Sequence, residues 1–211
     1  MGANIIKISG LLIIVTILLS QQLAAQKKRN NYLVSFSDTS RGASFGNVLY
    51  GYKTISGKIA IPAKYILVAS TKFDKMAIVY TDSGWIGINR KDSFLLRPFI
   101  YDNGPDYFIE GLFRFVEFGK IGFANIDGVK IIPAMYDFVT SFKNGIAEFT
   151  LGGKKIKDGE NWYWSQGYDG GFINKWGQLF NKVIPIDGKY AKACTNYNKN
   201  VFINKNGIII K

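Results

Sequence analysis

Trp162 and Trp164 stand two positions apart, with Tyr163 between them and Tyr168 four residues further on. Alternate residues of a strand face opposite sides, so a hairpin here would put both indoles on one face and Tyr163 on the other. Exposed aromatic rings beside polar groups make a stacking platform for a sugar ring or an anchor for a protein partner. In strands such residues also serve as packing, and the two tryptophans would then cover the neighbouring part of the fold. Just before them, Lys154, Lys155 and Lys157 form a basic run. It suits an anionic polymer, or a charged hairpin edge that discourages strand addition, and the edge role is favoured. Trp162, Tyr163, Trp164 and Tyr168 are therefore the candidate contact residues, and the three lysines the candidate basic patch.

Asp102, Asp106 and Glu110 flank Asn103-Gly104-Pro105. Two carboxylates held roughly 5–10 Å apart can hydrolyse a glycosidic bond, provided one has a raised pKa. Asp106 and Glu110 converging with Asp137 or Glu148 in a groove lined by Trp162 would make the chain a carboxylate-dependent glycan hydrolase. Oxygen ligands of this kind also suit calcium, but the spacing matches no calcium-loop pattern. The segment reads as a solvated turn. The chain has no histidine, which removes the histidine-based nucleophile systems and nearly every zinc site. Cys194 is the single cysteine, so no internal disulfide forms. No phosphate-binding loop or dinucleotide motif is present. The expectation is a protein without catalytic residues, metal or cofactor.

The elements that would position these residues recur. Gly51-Tyr52 is followed by Ser56-Gly57-Lys58-Ile59-Ala60-Ile61-Pro62-Ala63-Lys64-Tyr65, and Gly122-Phe123 by Asp127-Gly128-Val129-Lys130-Ile131-Ile132-Pro133-Ala134-Met135-Tyr136. Four positions of the two copies, Gly51, Gly57, Pro62 and Tyr65, recur 71 residues on. Between them lies Gly87-Ile88-Asn89, leading to Pro98 and Tyr101. A fourth copy begins at Gly171-Phe172-Ile173-Asn174-Lys175-Trp176-Gly177, and a truncated fifth runs from Val201 to Ile210. In each copy an alternating segment enters a tight turn of the Asp-Gly or Asn-Gly type, then an apolar strand that the proline is expected to end. A second half, Phe142-Lys143-Asn144-Gly145-Ile146-Ala147-Glu148-Phe149, reads as a turn and a strand leading into the next copy. No long stretch shows a helical apolar period.

These residues resemble the WG-repeat family, also called KWG repeats, over about residues 45–211 and most clearly from Gly122 to Phe149. The tryptophan that precedes the first glycine in that family is Tyr50, Ile86, Ile121 and Gly170 here. Trp85 is displaced by one residue, and Trp176-Gly177 falls on the turn. The resemblance implies an extracellular or interaction-type repeat architecture rather than a chemistry.

One hairpin cannot bury a face by itself, so neighbouring copies must stack. The expected fold is all-β, a twisted open array of tandem β-hairpin repeats. The alternative is a closed propeller- or barrel-like ring in which Tyr32–Phe36 pairs with Phe202–Lys211. The expected divisions are a signal peptide at 1–25, a linker and lead-in strand at 26–44, and a repeat domain at 45–211. The copies lie near 49–84, 85–120, 121–155, 170–200 and 201–211, with an insertion at 154–170. The leader reading rests on Lys7, the apolar run Leu11–Leu19 and the small residues ending at Ala25; the run is short for a membrane span. Membrane attachment would come only through an uncleaved signal anchor. Removing residues 1–25 takes one lysine and no acid from a net charge of +12, leaving +11. Such a basic exported protein can hold an anionic surface polymer, whereas export argues against nucleic acid. The expected function is an exported, non-catalytic binding or scaffold module for a protein or glycan partner, in the periplasm, at the cell surface or outside the cell.

Overall fold

The computed structural model describes residues 31–39, 48–153, 155–159, 161–164 and 168–210. The leader reading at 1–25 and most of the linker reading lie outside the described residues.

All described regular elements are strands, and they fall into five units. Unit 1 is an antiparallel meander of β1 (Leu33–Asp38), β2 (Leu49–Thr54) and β3 (Ile59–Tyr65). Two short strands, β4 (Leu67–Val68) and β5 (Lys72–Phe73), lead to unit 2, made of β6 (Met76–Thr81), β7 (Gly84–Asn89) and β8 (Phe94–Pro98). The paired strands β9 (Ile100–Tyr101) and β10 (Gly104–Pro105) precede unit 3, made of β11 (Leu112–Glu117), β12 (Lys120–Asn125) and β13 (Lys130–Tyr136). After β14 (Phe138–Val139) comes unit 4. Its first strand is β15 (Ile146–Gly152), then the extra hairpin β16 (Lys155–Asp158) and β17 (Asn161–Trp164), then β18 (Tyr168–Asn174) and β19 (Leu179–Pro185). Unit 5 has β20 (Tyr190–Thr195) and β21 (Asn200–Asn204), with an Ile203–Ile209 bridge in place of its third strand.

Three main sheets result, ordered β3-β2-β1-β5, β13-β12-β11-β8-β7-β6-β4 and β14-β15-β18-β19-β20-β21. Units 2 and 3 share a sheet through β8 and β11, and units 4 and 5 through β19 and β20. None of the sheets closes, so the array is open. The ring alternative does not form: β5 pairs with β1 at Leu33 and Val34, and Phe202 and Ile203 pair with β20 inside unit 5.

The turn after the second strand of each unit explains the recurring Asn-x-x-Gly. In unit 3 the Asn125 side-chain oxygen accepts from the N–H groups of Asp127 and Val129, both at 3.0 Å. Asn89, Asn174 and Asn204 do the same in units 2, 4 and 5, and Thr54 contributes one such bond in unit 1. A side chain that satisfies two turn N–H groups holds the chain in this shape. The fourth turn position is left-handed, at Gly57, Asp92, Gly128, Gly177 and Gly207, which favours glycine and tolerates aspartate.

The glycine at the centre of the second strand has a different cause. Opposite Gly122, β13 bulges, so that Ile121 pairs with Tyr136 and Phe123 with Ile132. A Cβ on Gly122 would lie 2.5 Å from the Ile132 carbonyl oxygen and 2.7 Å from the Pro133 carbonyl carbon. Gly51 meets Ile61 and Pro62 at the same two distances. Pro133 therefore does not end its strand as expected. It sits inside β13 on a bulge, where proline's missing N–H is tolerated. Unit 2 departs from this pattern, because Gly87 pairs directly with Leu96 and Pro98 is the last residue of β8.

Each junction between units has its own apolar core. Units 1 and 2 enclose Leu33, Tyr52, Ile61 and Tyr65 with Ala77, Val79 and Ile88. Units 2 and 3 enclose Met76, Ile78 and Leu96 with Phe113, Phe115 and Ala124. Units 3 and 4 enclose Phe123, Ile132 and Tyr136 with Ala147, Phe149 and Ile173. Units 4 and 5 enclose Phe180 with Ala193, Val201 and Ile203. The inner strands are thus apolar on both faces: in β6, Ala77 and Val79 serve the unit 1/2 junction and Met76 and Ile78 the unit 2/3 junction. Tyr50 and Ile121, which replace the family's tryptophan, pack in these cores, so that position asks for bulk rather than an indole.

Candidate functional site

Glu117 pairs with Lys120, leaving Phe118 and Gly119 as a two-residue turn between β11 and β12. Both adopt positive φ, 50° and 75°, as the hairpin twist requires. Glycine takes this conformation freely. Phenylalanine does not, and a Cβ-bearing residue there costs roughly 1–2 kcal/mol. The ring gains nothing from burial in return, since it is 98% exposed. An exposed aromatic held on a tight turn, where Asn or Asp would fold better, is a feature that stability does not explain.

The turn is fixed to unit 4. Lys120 Nζ lies 2.6 Å from Asp137 Oδ1, and the Gly152 N–H donates to Asp137 Oδ2 at 2.8 Å. The hydrogen bond from Lys120 holds the Asp137 carboxyl below its ordinary value, and the Gly152 N–H adds to this against the opposing effect of desolvation. Gly152 is the last residue of β15, where the chain leaves unit 4 for the β16–β17 hairpin. One carboxylate therefore ties the Phe118 turn to the base of the aromatic insertion. Lys130 Nζ, 2.6 Å from Glu117 Oε1, braces the other side of the turn.

The candidate contact residues lie on this insertion. Trp162, Tyr163 and Trp164 are in β17, whose register places Trp162 opposite Lys157, Tyr163 opposite Ile156 and Trp164 opposite Lys155. Tyr168 opens β18, opposite Gly152. The side chains of these four aromatics and of Lys155 lie outside the described residues, as does Lys154 altogether. Lys157 is exposed.

The acids do not converge. Asp106 is not in a solvated turn, contrary to expectation: it is buried and bound by Arg114. The Arg114 guanidinium donates through Nε at 2.9 Å and through a terminal nitrogen at 2.7 Å, and its backbone N–H donates at 2.8 Å. The guanidinium also donates to the Val139 carbonyl and stacks 4.4 Å from the centre of Phe99. Glu110 accepts from the Gly145 N–H and pairs with Lys175 at 3.1 Å, joining units 3 and 4. Asp137 belongs to the clamp, and Glu148 is exposed. Among the described residues, no three histidine, cysteine or acidic side chains gather as a metal site.

Sequence reasoning found the insertion and missed Phe118. The available signal was an aromatic directly before a glycine in Glu117-Phe118-Gly119-Lys120, where a two-residue hairpin prefers Asn-Gly. Tyr197, in the corresponding turn of unit 5, is also 87% exposed, but there the residue with positive φ is the following Asn198.

Residues 121–154 match the family model of the WG containing repeat, so the resemblance read from the third copy holds over that stretch. No curated protein matches the chain.

Proposed function

We propose that the chain is an exported, non-catalytic repeat protein that binds a protein or glycan partner along the edge formed by the Phe118 turn and the β16–β17 insertion. The observation that carries this reading is Phe118, fully exposed in a backbone conformation that costs stability and clamped through Asp137 to the hairpin bearing Trp162 and Trp164. Rigid aromatic side chains give large contact area at low entropic cost, and such anchors dominate binding energy. Lysines opposite the aromatics in β16 add attraction for an anionic partner. The non-catalytic reading is supported by the acids, since Asp106 is buried in its ion pair with Arg114 and Asp137 is tied to Lys120.

The test is retention on a glycan array and in a pull-down from an extracellular or envelope fraction. Wild type is compared with Phe118→Asn and with Trp162→Ala/Trp164→Ala. Both variants should lose at least ten-fold in retention of the same ligand. Equal retention by all three proteins would remove this edge as the contact surface.

A further inference from the structure

The junctions of units 2/3 and 4/5 are built alike. In unit 3, Phe113 is the second residue of the first strand and pairs with Ala124, next to the turn residue Asn125. In unit 5, Ala191 is the second residue of β20 and pairs with Ile203, next to Asn204. Phe113 and Ala191 are therefore the same position. The Phe113 ring fills the unit 2/3 junction and is 1% exposed, with Phe108 packed over it at a ring separation of 4.7 Å. Phe108 arrives on the linker between β10 and β11. The linker between β19 and β20 has only Ile186, Asp187, Gly188 and Lys189, too few to lay a ring over the core.

The result at the unit 4/5 junction is a cleft of about 390 Å³. Ile203 in place of Ala124, and Phe172 in place of Gly87, replace part of the missing bulk, and the cleft is what they leave open. The floor is Ile146, Phe172, Val183, Ala191 and Ile203, four of which are only half-buried against the Phe180 core. Lys143, Lys189 and Lys205 stand at the rim, all exposed, with Asp187, whose carboxylate accepts from the Lys189 N–H.

We infer that this cleft receives an aromatic side chain of an acidic peptide segment on a partner protein, the ring taking the place that Phe113 and Phe108 fill at the unit 2/3 junction. The internal copy carries a ring at the position of Ala191, and the apolar floor suits one. Three lysines on the rim select acidic flanks, and the +12 charge of the chain disfavours a second copy of itself as the occupant. This is a second surface, separate from the Phe118 edge and independent of the reading proposed for it.

The probe is a short labelled peptide with one phenylalanine between glutamates, titrated against the full chain and followed by fluorescence anisotropy. It should bind with a dissociation constant of about 1 mM or tighter, and a lysine-flanked or alanine-centred peptide at least ten-fold more weakly. Ala191→Phe restores the unit 3 arrangement, and should abolish binding at an unchanged or raised melting temperature. Lys143→Gln/Lys205→Gln changes only exposed positions and should weaken binding at least ten-fold, which keeps the test decisive if Ala191→Phe fails to fold. Trp162→Ala/Trp164→Ala should bind the peptide as wild type does. No binding by wild type, or equal binding when Ala191 is replaced or both lysines are neutralised, overturns the inference. Self-association that Ala191→Phe abolishes would assign the cleft to a second copy instead, and overturns it too.

Discussion

Lys120 and Asp137 lie at the end of unit 3 with 2.6 Å between Nζ and Oδ1, and the other Asp137 oxygen reaches unit 4 by holding the Gly152 N–H. This pair links the Phe118 turn to the base of the aromatic insertion. Because the folded carboxyl titrates below its unfolded value, its contribution is fully present above the unfolded pKa of about 4 and is lost as pH falls through the lower folded value. Asp137→Asn should therefore flatten part of the acid limb of melting temperature against pH, below about pH 4. A limb parallel to that of wild type would mean that the clamp contributes no measurable stability.

Phe118→Asn should stabilise the fold while weakening partner binding. Asparagine tolerates the left-handed turn position, and no buried contact is lost with the ring, so a gain of about 0.5–1 kcal/mol in urea denaturation is expected. A loss of stability would mean that the ring packs on something in solution.

Gly122→Ala and Gly51→Ala should each destabilise by about 2–3 kcal/mol, because the new methyl group meets backbone rather than a movable side chain. Gly119→Ala has open space around its Cβ and strains only its φ of 75°, costing about 1–2 kcal/mol. Urea midpoints of the three variants check the order.

Removing one partner of the buried Asp106–Arg114 pair leaves the other charged and unsatisfied. Asp106→Ala should cost about 3–5 kcal/mol, and Asp106→Leu/Arg114→Met should recover most of that loss. Denaturation of the single and double variants distinguishes a buried structural pair from a site whose acid is accessible.

Alkali should unfold the protein through its core tyrosines. Burial raises the Tyr136 hydroxyl to about 12 and pushes Tyr52 and Tyr65 higher still, with the Asp92 carboxylate adding to the effect on Tyr65. A raised folded pKa gives stability that is present below the unfolded value of about 10 and lost as pH rises above it. Phenolate absorbance should show these three tyrosines ionising only with unfolding. Ionisation of all twelve in one step near pH 10, with the fold intact, would contradict the burial.

The sequence by itself determined the local shapes. Asn-x-x-Gly turns, alternating apolar strands and the matching Gly122–Tyr136 and Gly51–Tyr65 segments are consequences of backbone sterics and short-range hydrogen bonds, which a few adjacent residues settle. They made the all-β repeat and the insertion hairpin legible. Contacts between units were not legible, because they join residues tens of positions apart whose identities differ at every junction. Arg90 meets Asn31 at the first, Lys75 meets Asp127 at the second, Glu110 meets Lys175 at the third, and Gly145 lies against Gly207 at the fourth. Only the tertiary structure turned Asp106 from a surface acid into a buried ion pair. It also put Pro133 on a bulge, left Phe118 bare, and opened a cleft where Ala191 replaces the ring of Phe113. In each case the outcome was decided by what packs around the residue or leaves it uncovered, and no spacing along the chain encodes that.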